Sequence, residues 1–281
     1  MVVPLLEVDS VTFGYAAADI FCNLSFALKP GEVFCLAGPN GCGKTTLLDC
    51  LLGINKIRGG AITLKGFDIS RFKPRDIARE IAYVPQAHEK TFPYTVKEIV
   101  LMGRAAYTGF FSSPSVQDMK IVEEALEIAG IADFVDRPYT RLSGGEGQLV
   151  MIARALAQKS SIIIMDEPTA HLDFKHELTV LETIVRLVKD TGVSIIMATH
   201  FPNHAFYFEN NLVRTRVAMM SRRSFSKVGK PSEVLTEENL KELYDICAKV
   251  FSYDLKDGTV INQVIPVRTL GRPEGPERVV I

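Results

Sequence analysis

The sequence predicts a doubly wound α/β fold, and three observations carry that prediction. Val33-Phe34-Cys35-Leu36-Ala37 is an unbroken apolar run that passes into a glycine-rich loop, Gly38-Pro39-Asn40-Gly41-Cys42-Gly43-Lys44-Thr45. A helical pattern follows from Lys44 through Leu52, with Gly53 as its stop. Two further apolar runs, Ile162 to Met165 and Val193 to Ala198, read as strands buried on both faces. A helix around His176 to Lys189 separates them and closes at the turn Thr191-Gly192. A helix-rich insertion begins after Gln86.

In chain order, the alternation in Leu6 to Phe13 reads as a half-exposed strand, and Phe26-Ala27-Leu28 as another. Within the insertion, Thr95-Val96-Lys97-Glu98 has the pattern of a capping box and opens an apolar run through Met102. Val116 to Ala129 repeats apolar residues at helical spacing before Gly130, with Val122, Ala125, Leu126 and Ala129 on one packing face. Beyond His200 the pattern weakens. Val213 to Met220 and Phe225 to Val228 read as strands, Leu240 to Val250 as a helix, and Arg268 to Arg278 as a tail containing Pro and Gly. Phe201 to Asn211 is unusually aromatic, with packing as its only reading.

The chain of 281 residues holds enough apolar side chains (47%) to bury a sizeable core. Its 32 basic and 33 acidic residues leave no net field, so the charge does not point to nucleic acid. No apolar run approaches the ~20 residues of a membrane span. No basic, apolar and small-residue series marks a secretory signal, and a cytoplasmic location is expected. Five cysteines (Cys22, Cys35, Cys42, Cys50, Cys247) lack Cys-x-x-Cys spacing and read as reduced thiols.

The loop from Gly38 to Thr45 has the Gly-x-x-x-x-Gly-Lys-Thr form that cradles phosphates. Successive backbone N–H groups at a helix N-terminus make a concave anion site, and Gly38, Gly41 and Gly43 let the backbone approach. Lys44 is expected at the β- and γ-phosphates of a nucleoside triphosphate, and the Thr45 hydroxyl on Mg²⁺. Asp166 and Glu167 end an apolar strand, where a carboxylate pair is costly unless it meets a cation or water. Asp166 is expected in the metal's shell and Glu167 beside the attacking water.

With Leu142-Ser143-Gly144-Gly145-Glu146 these residues resemble the ATP-binding cassette family over roughly residues 5 to 250. The resemblance implies a P-loop NTPase doubly wound sheet with an N-terminal antiparallel β subdomain and an inserted α-helical subdomain at about 87–150. Residues 251–281 form a C-terminal extension, partly flexible. It makes Tyr15 the aromatic that stacks on adenine, and Gly38 through Thr46 the Walker A loop, including Pro39, Asn40 and Cys42. Gln86 becomes the Q-loop glutamine, on the metal and in catalysis. Ser143 to Glu146 become the signature, His171-Leu172-Asp173 the D-loop and His200 the catalytic switch histidine. Asp173 also reads as a helix N-cap. The cofactors implied are ATP and Mg²⁺. The partners implied are a second copy in a head-to-tail dimer, polytopic permease subunits and, indirectly, an extracytoplasmic substrate-binding protein, at the cytoplasmic face of the membrane.

Only 95 residues separate Thr46 from Leu142, too few for the long coiled coil of a chromosome-maintenance ATPase, and a single phosphate loop does not match two-cassette translation factors. Leu101 to Phe111 and Glu167 to Asp173 resemble importers of iron-siderophore, haem or cobalamin type, with molybdate or tungstate importers as the alternative and a non-transport regulatory ATPase behind both. Arg104 and its aromatic neighbours are expected to dock the permease, or else to form a solvated loop. Two departures stand out. Gly147 lowers helix propensity after the signature by up to ~1 kcal/mol. Cys42, at a helix N-terminus, reads either as a tolerated replacement of serine or as a thiol of lowered pKa.

Overall fold

The computed structural model describes residues 3–16, 18–86, 92–108, 113–256 and 260–271. β1 (Leu6–Tyr15) and β2 (Ala18–Leu28) form an antiparallel hairpin, joined by β4 (Gly59–Leu64) and β5 (Phe67–Asp68) in a four-stranded sheet of order β2-β1-β4-β5. β3 (Val33–Ala37) belongs to a second sheet with β6 (Ile81–Val84), β7 (Ile162–Asp166), β8 (Ser194–Thr199), β9 (Thr215–Ser221) and β10 (Ser224–Gly229). Its order is β10-β9-β3-β8-β7-β6, parallel except for β10.

Alternate residues of the parallel strands feed two cores. Phe34, Leu36, Ile164, Ile196 and Ala198 face α1 (Lys44–Leu51), α2 (Pro74–Glu80) and the antiparallel sheet. Cys35, Ile163, Met165, Ile195 and Met197 face α5 (Gly144–Ala157), α6 (Phe174–Thr191) and α7 (Asn203–Asn210). Burial on both faces is what made the central strands read as continuous apolar runs. α3 (Val96–Leu101) and α4 (Val116–Ala129) complete the helical lobe and pack on α5. α3, α4 and α5 each open with a reciprocal capping box: Thr95/Glu98, Ser115/Asp118 and Ser143/Glu146. Each satisfies two otherwise orphaned N–H groups.

Three expectations are corrected here. The helix over Leu240 to Val250 is instead α9 (Glu237–Tyr244), after the short α8 (Pro231–Val234). α9 stops at Asp245 in a left-handed conformation, φ 56°, and β11 (Ile246–Asp254) follows. The alternation Val250-Phe251-Ser252-Tyr253 is a strand period that a window of helical length absorbs. β11 pairs antiparallel with β12 (Val260–Thr269), so a hairpin straddles residue 250. Gly147 does not soften α5, which runs unbroken from Gly144 to Ala157. Arg104 is neither solvated nor a free docking residue, being 7% exposed. Its Nε donates to Asp118 Oδ1 at 2.8 Å, another guanidinium nitrogen donates to the Ala157 carbonyl at 2.8 Å, and the group lies 4.1 Å from the Tyr107 ring centroid. Gly109, Phe110 and Phe111, the start of the expected insertion at 87, and most of the tail lie outside the described residues.

The C-terminal hairpin is fastened to α7 by side-chain amides. Asn203 donates to the Val264 carbonyl (3.0 Å) and accepts from its N–H (2.7 Å); Asn210 does the same with Asn262 (3.2 and 3.1 Å). Seven residues apart, the two asparagines lie on one face of the helix.

Candidate functional site

A cleft of about 400 Å³ opens at the C-terminal end of β3, lined by Ile20, Asn40, Gly41, Gly43, Lys44, Thr45, Thr46, Gln86 and Glu167. The loop preceding α1 turns tightly, with the Cys42 N–H reaching the Pro39 carbonyl at 3.4 Å. Gly43, the N-cap of α1, has φ 105°, and an added Cβ there would lie 2.8 Å from Ile20 Cγ2. Only glycine fits this position without strain. No side chain caps α1, so its leading N–H groups face the cleft without internal competition.

Lys44 is 5% exposed, and its Nζ donates to the Gly38 carbonyl (2.9 Å) and the Pro39 carbonyl (3.3 Å). It also lies 3.3 Å from Glu167 Oε1. Glu167 Oε2 accepts from His200 Nδ1 at 2.9 Å and from Gln86 Nε2 at 3.4 Å. A carboxylate only accepts, so Nδ1 of His200 carries the proton in this contact. β7, β8, the loop after β6 and the phosphate loop thus bring Glu167, His200, Gln86 and Lys44 to one point. Glu167 has φ 45°, a left-handed backbone that departs from β7 just after Asp166, and its N–H donates to the Ala198 carbonyl at 3.0 Å. Such a strained residue persists only where its surroundings over-determine it, commonly at functional sites.

Asp166 is 2% exposed, and its Oδ1 is buried with no hydrogen-bond partner among the described residues. Burial pushes its carboxyl above the usual range against the opposing hydrogen bond from Thr45. A hydroxyl beside a desolvated, half-satisfied carboxylate fits a hard divalent cation, which would supply the missing partner. Among the described residues no group of three or more His, Cys, Asp and Glu is placed to hold a metal, so phosphate and water oxygens would complete such a shell.

Other expected residues lie elsewhere. Tyr15, 56% exposed, stands outside the cleft lining, edge-on to Phe13 at 5.0 Å and near Asn55. Ser143, Gly144, Gly145 and Glu146 open α5 and are not among the lining residues of the Lys44 cleft. Ser143 Oγ accepts the Glu146 N–H, and Glu146 Oε2 accepts the Ser143 N–H at 2.7 Å. An added Cβ on Gly145 would lie 2.2 Å from the His176 ring, so this helix packs closely on α6. Asp173 caps α6, accepting from the His176 N–H at 2.9 Å. The lowered-pKa reading of Cys42 is corrected: burial pushes its thiol up, and this outweighs the lowering by Lys44 and by backbone N–H donors. Burial outweighs the helix terminus here.

Two residues escaped the sequence reading. Ile20 forms one wall of the cleft from β2, and nothing in its local sequence marks it. The Tyr244 hydroxyl, at the end of α9, is buried beside the Gly38 backbone, and burial pushes it up in the neighbourhood of Cys42 and Glu167.

A family model described as ABC transporter matches residues 21–170. The chain is 39% identical over 240 residues to an uncharacterized ABC transporter ATP-binding protein of Haemophilus influenzae, covering 85% of this chain and 89% of the relative. It is 35% identical over 245 residues to the iron(3+)-hydroxamate import ATP-binding protein FhuC of Bacillus subtilis, covering 87% and 89%. A solved structure described as an inward-facing conformation of a metal-chelate type ABC transporter superposes with a TM-score of 0.82 at 31% identity, covering 94% of this chain and 98% of that one.

Proposed function

The chain belongs to the ABC transporter family, and on that premise we propose that it is the ATP-binding and ATP-hydrolysing subunit of an importer for iron-siderophore type chelates. The convergence of Lys44, Gln86 and His200 on Glu167, at the mouth of a glycine-rich anion cradle, carries this reading. The cargo class rests on likeness to the hydroxamate relative and the metal-chelate transporter. Among the described residues no helix is long and apolar enough to cross a membrane. In this reading, which rests on the likeness to transporter ATP-binding subunits, the transport path belongs to separate permease subunits, with this chain peripheral at their cytoplasmic side, and an extracytoplasmic binding protein delivers the cargo.

In this reading the ATP triphosphate lies along the N–H groups of Gly41 to Thr46 and draws Lys44 away from Glu167. Freed of its lysine, Glu167 orients and deprotonates the attacking water, while His200 and Gln86 fix the carboxylate in place. Tyr15 meets the adenine from outside the cleft lining. Thr45 and Asp166, with Gln86 nearby, would hold Mg²⁺, which would supply positive charge beside the phosphates. Ser143, Gly144, Gly145 and Glu146 are not among the residues lining the Lys44 cleft, and in this reading a second copy in head-to-tail arrangement supplies its own α5 N-terminus to the γ-phosphate. The ATPase domain occupies about 5–250, with the helical subdomain inserted at about 87–150 and the C-terminal extension beyond.

Cells lacking the chain are expected to lose uptake of radiolabelled ferric siderophore, restored by the wild type and not by Lys44→Ala. Retained siderophore uptake with lost molybdate uptake would move the cargo to the oxyanion class. Loss of neither would remove the transport role.

A further inference from the structure

The aromatic segment after β8 contains a titratable side chain that the hydrolysis scheme does not use. His204, in the first turn of α7, is 2% exposed, and both of its ring nitrogens are engaged. Nε2 lies 2.8 Å from Glu177 Oε1 on α6, and Nδ1 lies 2.8 Å from Thr199 Oγ1 at the end of β8. The Glu177 carboxylate accepts only, which assigns the proton to Nε2 and leaves Nδ1 to accept from the Thr199 hydroxyl. Thr199 Oγ1 in turn accepts the Phe201 N–H at 3.0 Å. Both ring nitrogens of His204 and the Thr199 hydroxyl have complementary partners, the condition under which such a network fixes one geometry.

Thr199 and Phe201 flank His200. The hydroxyl that His204 holds therefore ties together the two neighbours of the residue whose Nδ1 reaches Glu167 at 2.9 Å. The Phe201 ring, 4.0 Å from His200 and 5.4 Å from His204, fills the space between the two imidazoles. At its far end the network is anchored to α6, whose N-cap Asp173 binds His176, the residue against Gly145. Asn203, the neighbour of His204, is clamped to the Val264 backbone, so α7 is held on both sides.

We propose that His204 is a positioning residue for ATP hydrolysis: it holds His200 in register with Glu167 through Thr199 and anchors that strand end to α6 through Glu177. This rests on the role proposed above for His200. Catalytic geometry tolerates displacements of only about 0.5 Å. Releasing Thr199 therefore lowers turnover without touching the groups that bind nucleotide.

Steady-state ATPase kinetics of the full chain test this. His204→Leu is expected to lower kcat by about 10- to 100-fold with KM for ATP within about twofold. His204→Gln, whose amide nitrogen reaches Glu177, is expected to recover part of the loss. In a His200→Ala background, His204→Leu is expected to change kcat by less than about twofold, because its effect passes through His200. Unchanged kcat in His204→Leu overturns the proposal, and so does an undiminished further loss in the His200→Ala background. Should His204→Leu not fold, Glu177→Ala, at a side chain 30% exposed, carries the same two comparisons with the same reading of each. His200→Ala alone separates the levels. Normal turnover there removes the role of His200 itself, whereas a loss there beside a normal His204→Leu sinks only the inference about His204.

Discussion

Replacing Glu167 by glutamine removes one charge from the point where three donors meet. Lys44 at 3.3 Å faces Oε1, while His200 at 2.9 Å and Gln86 at 3.4 Å face Oε2. A carboxylate serves all three, whereas an amide has one acceptor oxygen and turns its NH₂ toward the remaining donors. Loss of a general base alone costs about 10²- to 10⁴-fold in rate, or about 3–5 kcal/mol in barrier. Disturbing His200 and Gln86 as well places the expectation near ~10³-fold. The phosphate cradle is untouched, and Lys44 loses a competitor for the phosphates, so ATP affinity should stay within about threefold or tighten. Phosphate release at saturating ATP gives the first quantity and nucleotide titration the second, while sedimentation with ATP should show a dimer. Turnover within about tenfold of wild type would remove Glu167 from the chemistry, and monomers alone in saturating ATP would count against the two-copy site.

Lys44→Ala should weaken ATP binding by more than about 100-fold, because it deletes the charge-assisted contact to the phosphates; an unchanged titration would refute the assignment of the loop. Asp118→Asn leaves the Arg104 guanidinium, with its side chain 9% exposed, without its carboxylate, and should cost about 2–4 kcal/mol in urea unfolding. Hydrogen bonds from Ser115 and then Arg104 hold the Asp118 carboxyl at about 2, below its ordinary 3.8. Its contribution is therefore full above about pH 4 and lost as pH falls toward 2, and wild type and Asp118→Asn should converge there. Gly145→Ala drives a Cβ into the His176 ring and should cost about 1–3 kcal/mol. Most of that should return with His176→Ala, and additive losses in the pair would refute the contact as the cause.

Much of this molecule can be read from local pattern. α4 runs from Val116 to Ala129 where the helical spacing places it, the Thr95/Glu98 box opens α3, and the loop before Lys44 sits between β3 and α1. Their signals are confined to one window of sequence: a period, a cap, a glycine where the backbone needs it. Most of the failures depend on partners farther along the chain. Arg104 reads as a docking residue until Asp118 and the Ala157 carbonyl surround it, and the lowered-pKa reading of Cys42, one of two, fails once burial desolvates the thiol. His204 meets Glu177 from 27 positions away, a pairing no spacing rule anticipates. β11 is masked in the sequence because its alternation follows a helix with only Asp245 to mark the break.

A primary amide presents a donor and an acceptor side by side, as a peptide group does. Asn203 and Asn210 use this to imitate a neighbouring strand along β12, closing an edge that would otherwise invite another chain to pair. A protein cut after Asp245 would forfeit more than its last ribbon. It would leave two counterfeit peptides bare on the helix that starts three residues beyond His200, so trimming the terminus should register at the nucleotide before it registers as unfolding.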